Sequence, residues 1–465
     1  MKQLLHSSGP SDHCRKPTKA ENILVVQPWE LRERMNLATP VYTLPTEILK
    51  EIFCATRPSL PHQIVSYAVV ISHVTRRWRN LALCTAHLWT DIYIWLHVRE
   101  ACLASYLQRS SNHLLDVKIE LHIHYDGATL DNFRRQLPII VSQTARLRNL
   151  IVEADVYFGY ILQKFSALRA PYLETLDIRF MGGMDTHLRH TFIGGAPMLS
   201  SITVCGTSVR SCMPPLAAVT HLHLGATRAK MYPDELCDVL TSVPSLRRLI
   251  LSANGVSFRL PAISWPVIRM PSLTSLTIAF ILGHSTANAL LYERLVAPNL
   301  EFLAVEWLAN EPLLNDCRGD TNSMITDAAV INKSLPLKYP RLRSLAITVC
   351  DMDSDKFVCL CEALPSVNHV NFWQQQHNTT LPLLEYFEEI PLLWPDLRHI
   401  TLSPTTFRNV DALRDVVASR ICSGRPLHSV GHQSGLHDDP TLPEDNLGWL
   451  RERVKLEVDK YQLNK

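Results

Sequence analysis

A short apolar pattern recurs through the second half of the chain and constrains its fold more than any other feature. An apolar pair three residues apart is followed by another apolar residue two later, usually with proline two before the first. Leu173, Leu176 and Ile178 follow Pro171; Leu246, Leu249 and Leu251 follow Pro244; Leu342, Leu345 and Ile347 follow Pro340. Ten copies run from Leu147 to Leu402, their first residues separated by 26, 26, 20, 27, 27, 27, 42, 25 and 30 positions. The period-two ending is a short strand with one buried face, and the proline, which cannot donate into a ladder, belongs at its entrance. One such unit cannot bury its own face. Stacking ten makes a continuous apolar spine, with segments such as Pro233 to Leu240 and Ala287 to Leu295 as outer helices. The 42-residue step marks an insertion.

These spacings resemble leucine-rich repeats, whose period is about 20 to 29 residues. The pattern L-x-x-L-x-L-x-x-N/C is completed only by Leu246 to Asn254 and Leu342 to Cys350. The fold class expected is α/β: a small all-helical module followed by a curved leucine-rich-repeat-like solenoid over residues 144–430. Residues 93–143 connect the two and supply a first strand at Leu115 to Ile123. An ordinary α/β sheet domain with repeated strands is the alternative. Residues 1–38 read as a tail, and 431–465 as a tail or cap with a helix from Asn446 to Gln462.

Residues 39–92 have a different texture. Pro45 suits the first turn of a helix, because the amide hydrogen it lacks would have been unpaired there. Ile48, Leu49, Ile52 and Phe53 then share one face. Val70, Val74 and Trp78 recur every four residues, with Leu81 completing the stripe of a second amphipathic helix. So small a unit is marginal alone and gains by burying its apolar face against another protein or the following domain. The run Arg76, Arg77 and Arg79 reads as a solvated face rather than a nucleic-acid contact.

The arrangement LPTEIL…EIF…VTRRWR…LW resembles the F-box, by which substrate receptors attach to cullin-based SCF ubiquitin ligases, and its pairing with degenerate repeats is similar to the large F-box families of mushroom-forming fungi. The resemblance implies that Leu44, Pro45, Ile48, Leu49, Ile52, Phe53, Val74, Trp78 and Trp89 hold the module together or dock the SCF adaptor. Thr75 departs from the family, whose members often carry cysteine before the paired basic residues. The resemblance implies a substrate-recognition subunit, with the adaptor and, through it, the cullin as partners and an unknown target protein on the repeats. A ligase-independent interaction scaffold, its helices merely capping the solenoid, is the competing reading.

Signatures of catalysis are missing. The sequence holds no P-loop, G-x-G-x-x-G, G-x-S-x-G or H-E-x-x-H, and its 16 glycines leave little material for phosphate-cradling loops. No catalytic residue, metal ligand or cofactor is therefore assigned. Asp351, Asp353, Asp355 and Glu362 imitate calcium-loop spacing, but Lys356 stands where the sharp turn needs glycine; Asp353 or Ser354 fits a helix cap better. Cys359 and Cys361 lack a partner pair. His122 with His124, and His221 with His223, alternate with apolar residues and fall on the solvent side of strands.

A net charge of +2 from 46 basic and 44 acidic residues argues against nucleic acid as a partner. No segment is long and apolar enough for a membrane span, and the amino terminus lacks a signal-peptide core, so cytosol or nucleus is expected. The 12 cysteines, scattered without a framework, read as small buried hydrophobes. Residues between the apolar positions of each strand should face an open concave surface: Arg179, Arg248, Glu306, His369, Asn371, Trp373 and His399 are the candidate target contacts, with Thr277 and Thr401 beside them. Their mixed character suits a protein surface.

Overall fold

A computed structural model describes residues 35–56, 66–94, 99–121, 127–155, 157–180, 190–207, 209–212, 214–227, 233–252, 267–281, 294–308, 339–349, 354–374, 384, 387, 393–403, 407–432 and 444–458. Two compact units emerge, one of Met1–Asp91 with Tyr106–His113, the other of Ile92–Ser105 with Leu114–Lys465.

The first unit is helical. After a 3-10 turn at Pro40–Thr43 come α1 (Thr46–Ala55), α2 (Tyr67–Ser72), α3 (Arg76–Cys84) and a second 3-10 turn at Ala86–Trp89. Phe53, Ala68, Ile71, Ala82, Leu88 and Trp89 form its core, with Trp78, Leu81 and Tyr106 packed around them. Aromatic edges organise it: Phe53 meets Trp78 at 4.8 Å and Trp89 meets Tyr106 at 5.1 Å between ring centroids. Trp89 is buried whole because its indole N–H finds the Ala82 carbonyl.

Two sequence expectations change here. The single helix expected from Val70 to Leu81 is broken between α2 and α3, because Thr75 is extended and its hydroxyl accepts the Trp78 amide as an N-cap. The basic run is a solvated face only in part: Arg76 and Arg79 are exposed as expected, but Arg77 is half-buried. Arg77 donates to the carbonyls of Tyr42 and Leu44, and Arg79 Nε donates to that of Ser72 at 2.9 Å.

The second unit is built on a 14-stranded sheet ordered β1-β2-β3-β4-β5-β6-β7-β9-β11-β12-β13-β14-β15-β16. Its strands are Asp91–Ile94 (β1), Leu115–Leu121 (β2), Leu147–Ala154 (β3), Thr175–Phe180 (β4), Ser201–Gly206 (β5), His221–Thr227 (β6), Arg248–Leu251 (β7), Ser275–Ile281 (β9), Phe302–Leu308 (β11), Ser344–Val349 (β12), His369–Gln374 (β13), His399–Ser403 (β14), Ser429–His432 (β15) and Lys455–Val458 (β16). Ile268–Arg269 (β8) and Leu295–Val296 (β10) pair separately. From β2 onward neighbouring strands are parallel and in chain order. A doubly wound sheet reverses its order at a switch point; uninterrupted sequential order fits a stack of repeats.

The recurring proline has a sharper role than strand entrance. In the eight repeats that carry the proline the first apolar residue donates its amide to the carbonyl three positions back, Leu173 to Ala170, Leu199 to Ala196, Leu246 to Val243, Leu273 to Met270, Leu300 to Ala297, Leu342 to Tyr339, Val367 to Leu364 and Leu397 to Trp394, and Leu147 and Val219 make the same bond without it. Proline follows the acceptor in each of the eight, the turn position for which its fixed φ is prearranged. Every one of those eight acceptor residues is buried, so the same turn anchors both its flanks in the core. The three apolar positions that define the repeat are buried throughout.

Helices fill the intervals: α4 (Glu100–Arg109), α5 (Gly127–Val141), α6 (Phe158–Phe165), α7 (Pro233–Thr241), α8 (Ser354–Ala363), α9 (Phe407–Cys422) and α10 (Glu444–Arg453). Helix α7 stands where the spacing placed it, and α8 begins at Ser354 and runs through Phe357 and Leu360 as the capping argument required. Elsewhere the structure differs. Leu115 does not open the sheet, since β1 precedes it; of the strand expected from Leu115 to Ile123, Leu115–Leu121 is described and His122 and Ile123 lie outside the described residues. Leu295 belongs to β10 rather than to an outer helix. The helix expected from Asn446 to Gln462 ends at Arg453, and Lys455–Val458 add a final strand, because Val454, Leu456 and Val458 alternate with period two. Among the described cysteines, Cys212, Cys237 and Cys361 are buried, but Cys84, Cys102 and Cys422 are exposed near helix ends. No helix among the described residues is long and apolar enough to cross a membrane.

Candidate functional site

The helical unit sorts its apolar residues into two sets. Leu49 and Phe53, one turn apart on α1, are buried with Trp89 in the core. Ile48 and Ile52, each one position earlier and therefore rotated by about 100° on a helix of 3.6 residues per turn, remain 47% and 39% exposed. The stripe expected on one face is thus two adjacent stripes. Val70 on α2 and Val74 in the following turn are 48% and 53% exposed; the sequence placed Val70 on the helical stripe but not among the adaptor-docking candidates. Pro45 is exposed and Leu44 half-buried. Leaving four branched side chains in water is unusual for a unit so short of core. Leu49, Phe53 and Trp89 support this surface from beneath. Trp78 straddles the two roles: half-buried against Phe53, it keeps its indole N–H out of water without a hydrogen-bond partner.

On the sheet, the residues that alternate with the core form rows across neighbouring strands. One row runs Asn149, Thr175, Ser201, His221, Arg248, Ser275 and on through Ser344, His369, His399, Ser429 and Lys455. The next runs Ile151, Asp177, Thr203, His223, Ile250, Thr277, Ala304, Ala346, Asn371, Thr401 and Gly431. The second row is not open over its later half, where Thr277, Ala304, Ala346, Asn371 and Thr401 are all buried. Small side chains lie below the reach of solvent there, and the Asn371 Oδ1 atom has no hydrogen-bond partner. The side chains of Glu306 and Trp373, like all of His122, His124, Asn254, Cys350, Asp351 and Asp353, lie outside the described residues.

Charge is unevenly spent along the face. At its start Lys118, almost fully buried, lies 2.8 Å from Glu120 and 3.3 Å from Glu153 and under the ring of Tyr93, whose hydroxyl donates to Glu120. Arg148 and Asn149 both bond Asp116. The pairs of Lys118 with Glu153 and of Arg148 with Asp116 escaped the sequence reading because their members are more than 30 residues apart in the chain. Arg179 holds Asp177 through two bonds, at 3.0 and 2.9 Å. His223 bonds Ser252 at 2.7 Å, and burial holds its pKa below the usual imidazole value. Of the strand histidines, His221 is exposed as expected, but His223 is half-buried.

Toward the end of the sheet three imidazoles stack edgewise, His369 to His399 at 5.8 Å and His399 to His428 at 5.5 Å. His399 Nδ1 lies 2.8 Å from Ser429 Oγ, which in turn donates to Glu457 at 3.2 Å. The serine's proton is thus directed to a carboxylate, away from the imidazole, which is the reverse of an activated nucleophile. Among the described residues no group of three or more His, Cys, Asp or Glu side chains is placed to hold a metal ion.

No known family profile matches the chain, and no characterised protein matches it in sequence. Among solved structures, a protein of Bacteroides fragilis aligns over 72% of this chain and 84% of its own at 12% identity and a TM-score of 0.34. Rad7, from the yeast Rad7 and Elc1 complex, aligns over 82% of this chain and 90% of its own at 12% identity and a TM-score of 0.32. Similarities at this level carry no argument about function.

Proposed function

We propose that this protein is a non-catalytic substrate receptor of a cullin-based ubiquitin ligase. The helical unit, read as an F-box, docks the SCF adaptor, and the polar face of the parallel sheet holds a target protein. The observation that carries the reading is the exposure of Ile48, Ile52 and Val74, three of the positions at which the LPTEIL…VTRRW resemblance implies adaptor contact. Apolar surface that a marginal core leaves unburied is best explained by a partner that covers it. Leu44, Pro45 and Trp78 border this surface; Leu49, Phe53 and Trp89 shape it. Ubiquitination of the target would gain from proximity alone, with no acid, base or nucleophile supplied by this chain.

Co-purification with the SCF adaptor tests the reading. Ile52→Asp and Val74→Asp change exposed positions, so circular dichroism should match the native chain while adaptor capture is lost. A native chain that captures no adaptor overturns the proposal and leaves a ligase-independent repeat scaffold, in which the helices are only a cap.

A further inference from the structure

Among the described residues, the guanidinium of Arg248 has neither an ion pair nor a hydrogen-bond partner for its Nε. It stands on β7, half-buried, in register with His221 of β6 and Ser275 of β9. Its Nε is sealed from water without a hydrogen bond, and no carboxylate lies within ion-pair reach of it among the described residues, whereas Arg148, Arg179 and Lys118 on the same face are all satisfied by acids. Desolvating a guanidinium donor with nothing to receive it is costly. The surroundings are donors. Ser201 and Ser275 flank the row half-exposed, and His221, exposed, has its Nδ1 2.9 Å from the Thr220 hydroxyl. The acid nearest in the adjoining row, Asp177, is already neutralised by Arg179.

From this we infer that the β5 to β9 stretch of the sheet face is a carboxylate-binding subsite, in which Arg248 receives an aspartate or glutamate side chain of a bound protein segment, supported by Ser275 and His221. The two terminal nitrogens of the planar guanidinium match a carboxylate in two parallel bonds. One unpaired guanidinium balances one singly charged acid. A row of half-exposed side chains across parallel strands suits a side chain presented by another polypeptide. The inference rests on the target-receptor reading and names the chemistry its target presents.

The Nε–H signal of Arg248 in the full-length protein, assigned by its disappearance in Arg248→Lys, reports the site directly. Titration with N-acetyl-glutamate amide should shift that signal, while N-acetyl-glutamine amide, isosteric but uncharged, should leave it in place. Arg248→Gln, checked for fold by circular dichroism, should weaken the glutamate probe about tenfold or more, the loss expected when one charge-assisted pair is removed. Equal shifts with both probes, no shift with either, or a stronger response to inorganic phosphate than to the carboxylate would overturn the assignment. Adaptor capture by the same samples separates the failures: a protein that binds adaptor but not the carboxylate refutes this inference alone.

Discussion

The indole Nε1 of Trp89 donates to the main-chain carbonyl of Ala82 at 2.8 Å, joining the last turn of the helical unit to α3. Trp89 is also packed edge-on against Tyr106 and lies beneath the guanidinium of Arg109, 4.4 Å from its centroid. Trp89→Phe should keep much of the packing and lose the bond, costing about 1 to 2 kcal/mol. Trp89→Ala should cost about 3 to 5 kcal/mol and unfold the unit. Amide exchange over α2 and α3 checks both, and unchanged protection in Trp89→Ala would refute the role given to the indole.

Arg420 is a buried cation that serves the backbone. Its guanidinium donates to the carbonyls of Leu393 and Leu397 at 3.1 Å and of Arg425 at 3.2 Å, so α9 holds the turn that opens the β14 repeat. Desolvation holds its pKa down, yet each of its three nitrogens donates to a carbonyl oxygen. Arg420→Met leaves those carbonyls dry and should destabilise by about 2 to 4 kcal/mol. A lowered urea midpoint with unchanged slope is the expected result, and a native-like midpoint would contradict it.

Gly206 closes β5 at φ +78°, and a Cβ built there would stand 1.7 Å from the Phe180 carbonyl oxygen. Neither the backbone conformation nor the space admits a side chain. Gly206→Ala should therefore destabilise the β4 and β5 pair well beyond the roughly 1 kcal/mol of an ordinary glycine replacement. Differential scanning calorimetry reads the shift; a melting temperature unchanged within error would count against the geometry.

Acid should weaken the sheet unit. Burial, the largest cause in each case, holds His223 and His399 below the ordinary imidazole value of 6.5; Arg179 and Arg248 reinforce it at His223, and His428, Arg398 and Lys455 at His399, against the opposing charges of Asp177 and Glu457. Below pH 6.5 the unfolded chain takes up protons that the folded chain resists, so stability present above that pH is lost as pH falls through the window beneath it. Denaturant midpoints at pH 7.5 and 5.5 should differ in that direction, and by less in a His223→Gln, His399→Gln variant. Equal pH dependence in the variant would remove these residues as the cause.

The sequence by itself determined the repeat. Period-two alternation and proline spacing are local properties, and a face that each unit cannot bury alone admits few solutions besides stacking, so the strands from β3 to β14 fall where the pattern put them. It also marked α1 and the proline before it, because helix starts depend on residues within one turn. What it left open depended on contacts remote in the chain. Whether Ile52 or Phe53 faces water is a matter of which neighbour Trp78 and Trp89 take, and a hydrophobic stripe two residues wide does not say. Thr75 could continue a helix or cap one, and only the packing of α2 against α3 decided. On the sheet, alternation placed Asp177 and Arg179 side by side on one strand, where they pair locally, but it carried no information about company across strands: Asn371 was buried, and Arg248 has no acid within reach among the described residues, because strands about 25 residues apart in sequence become neighbours only when the ladder closes.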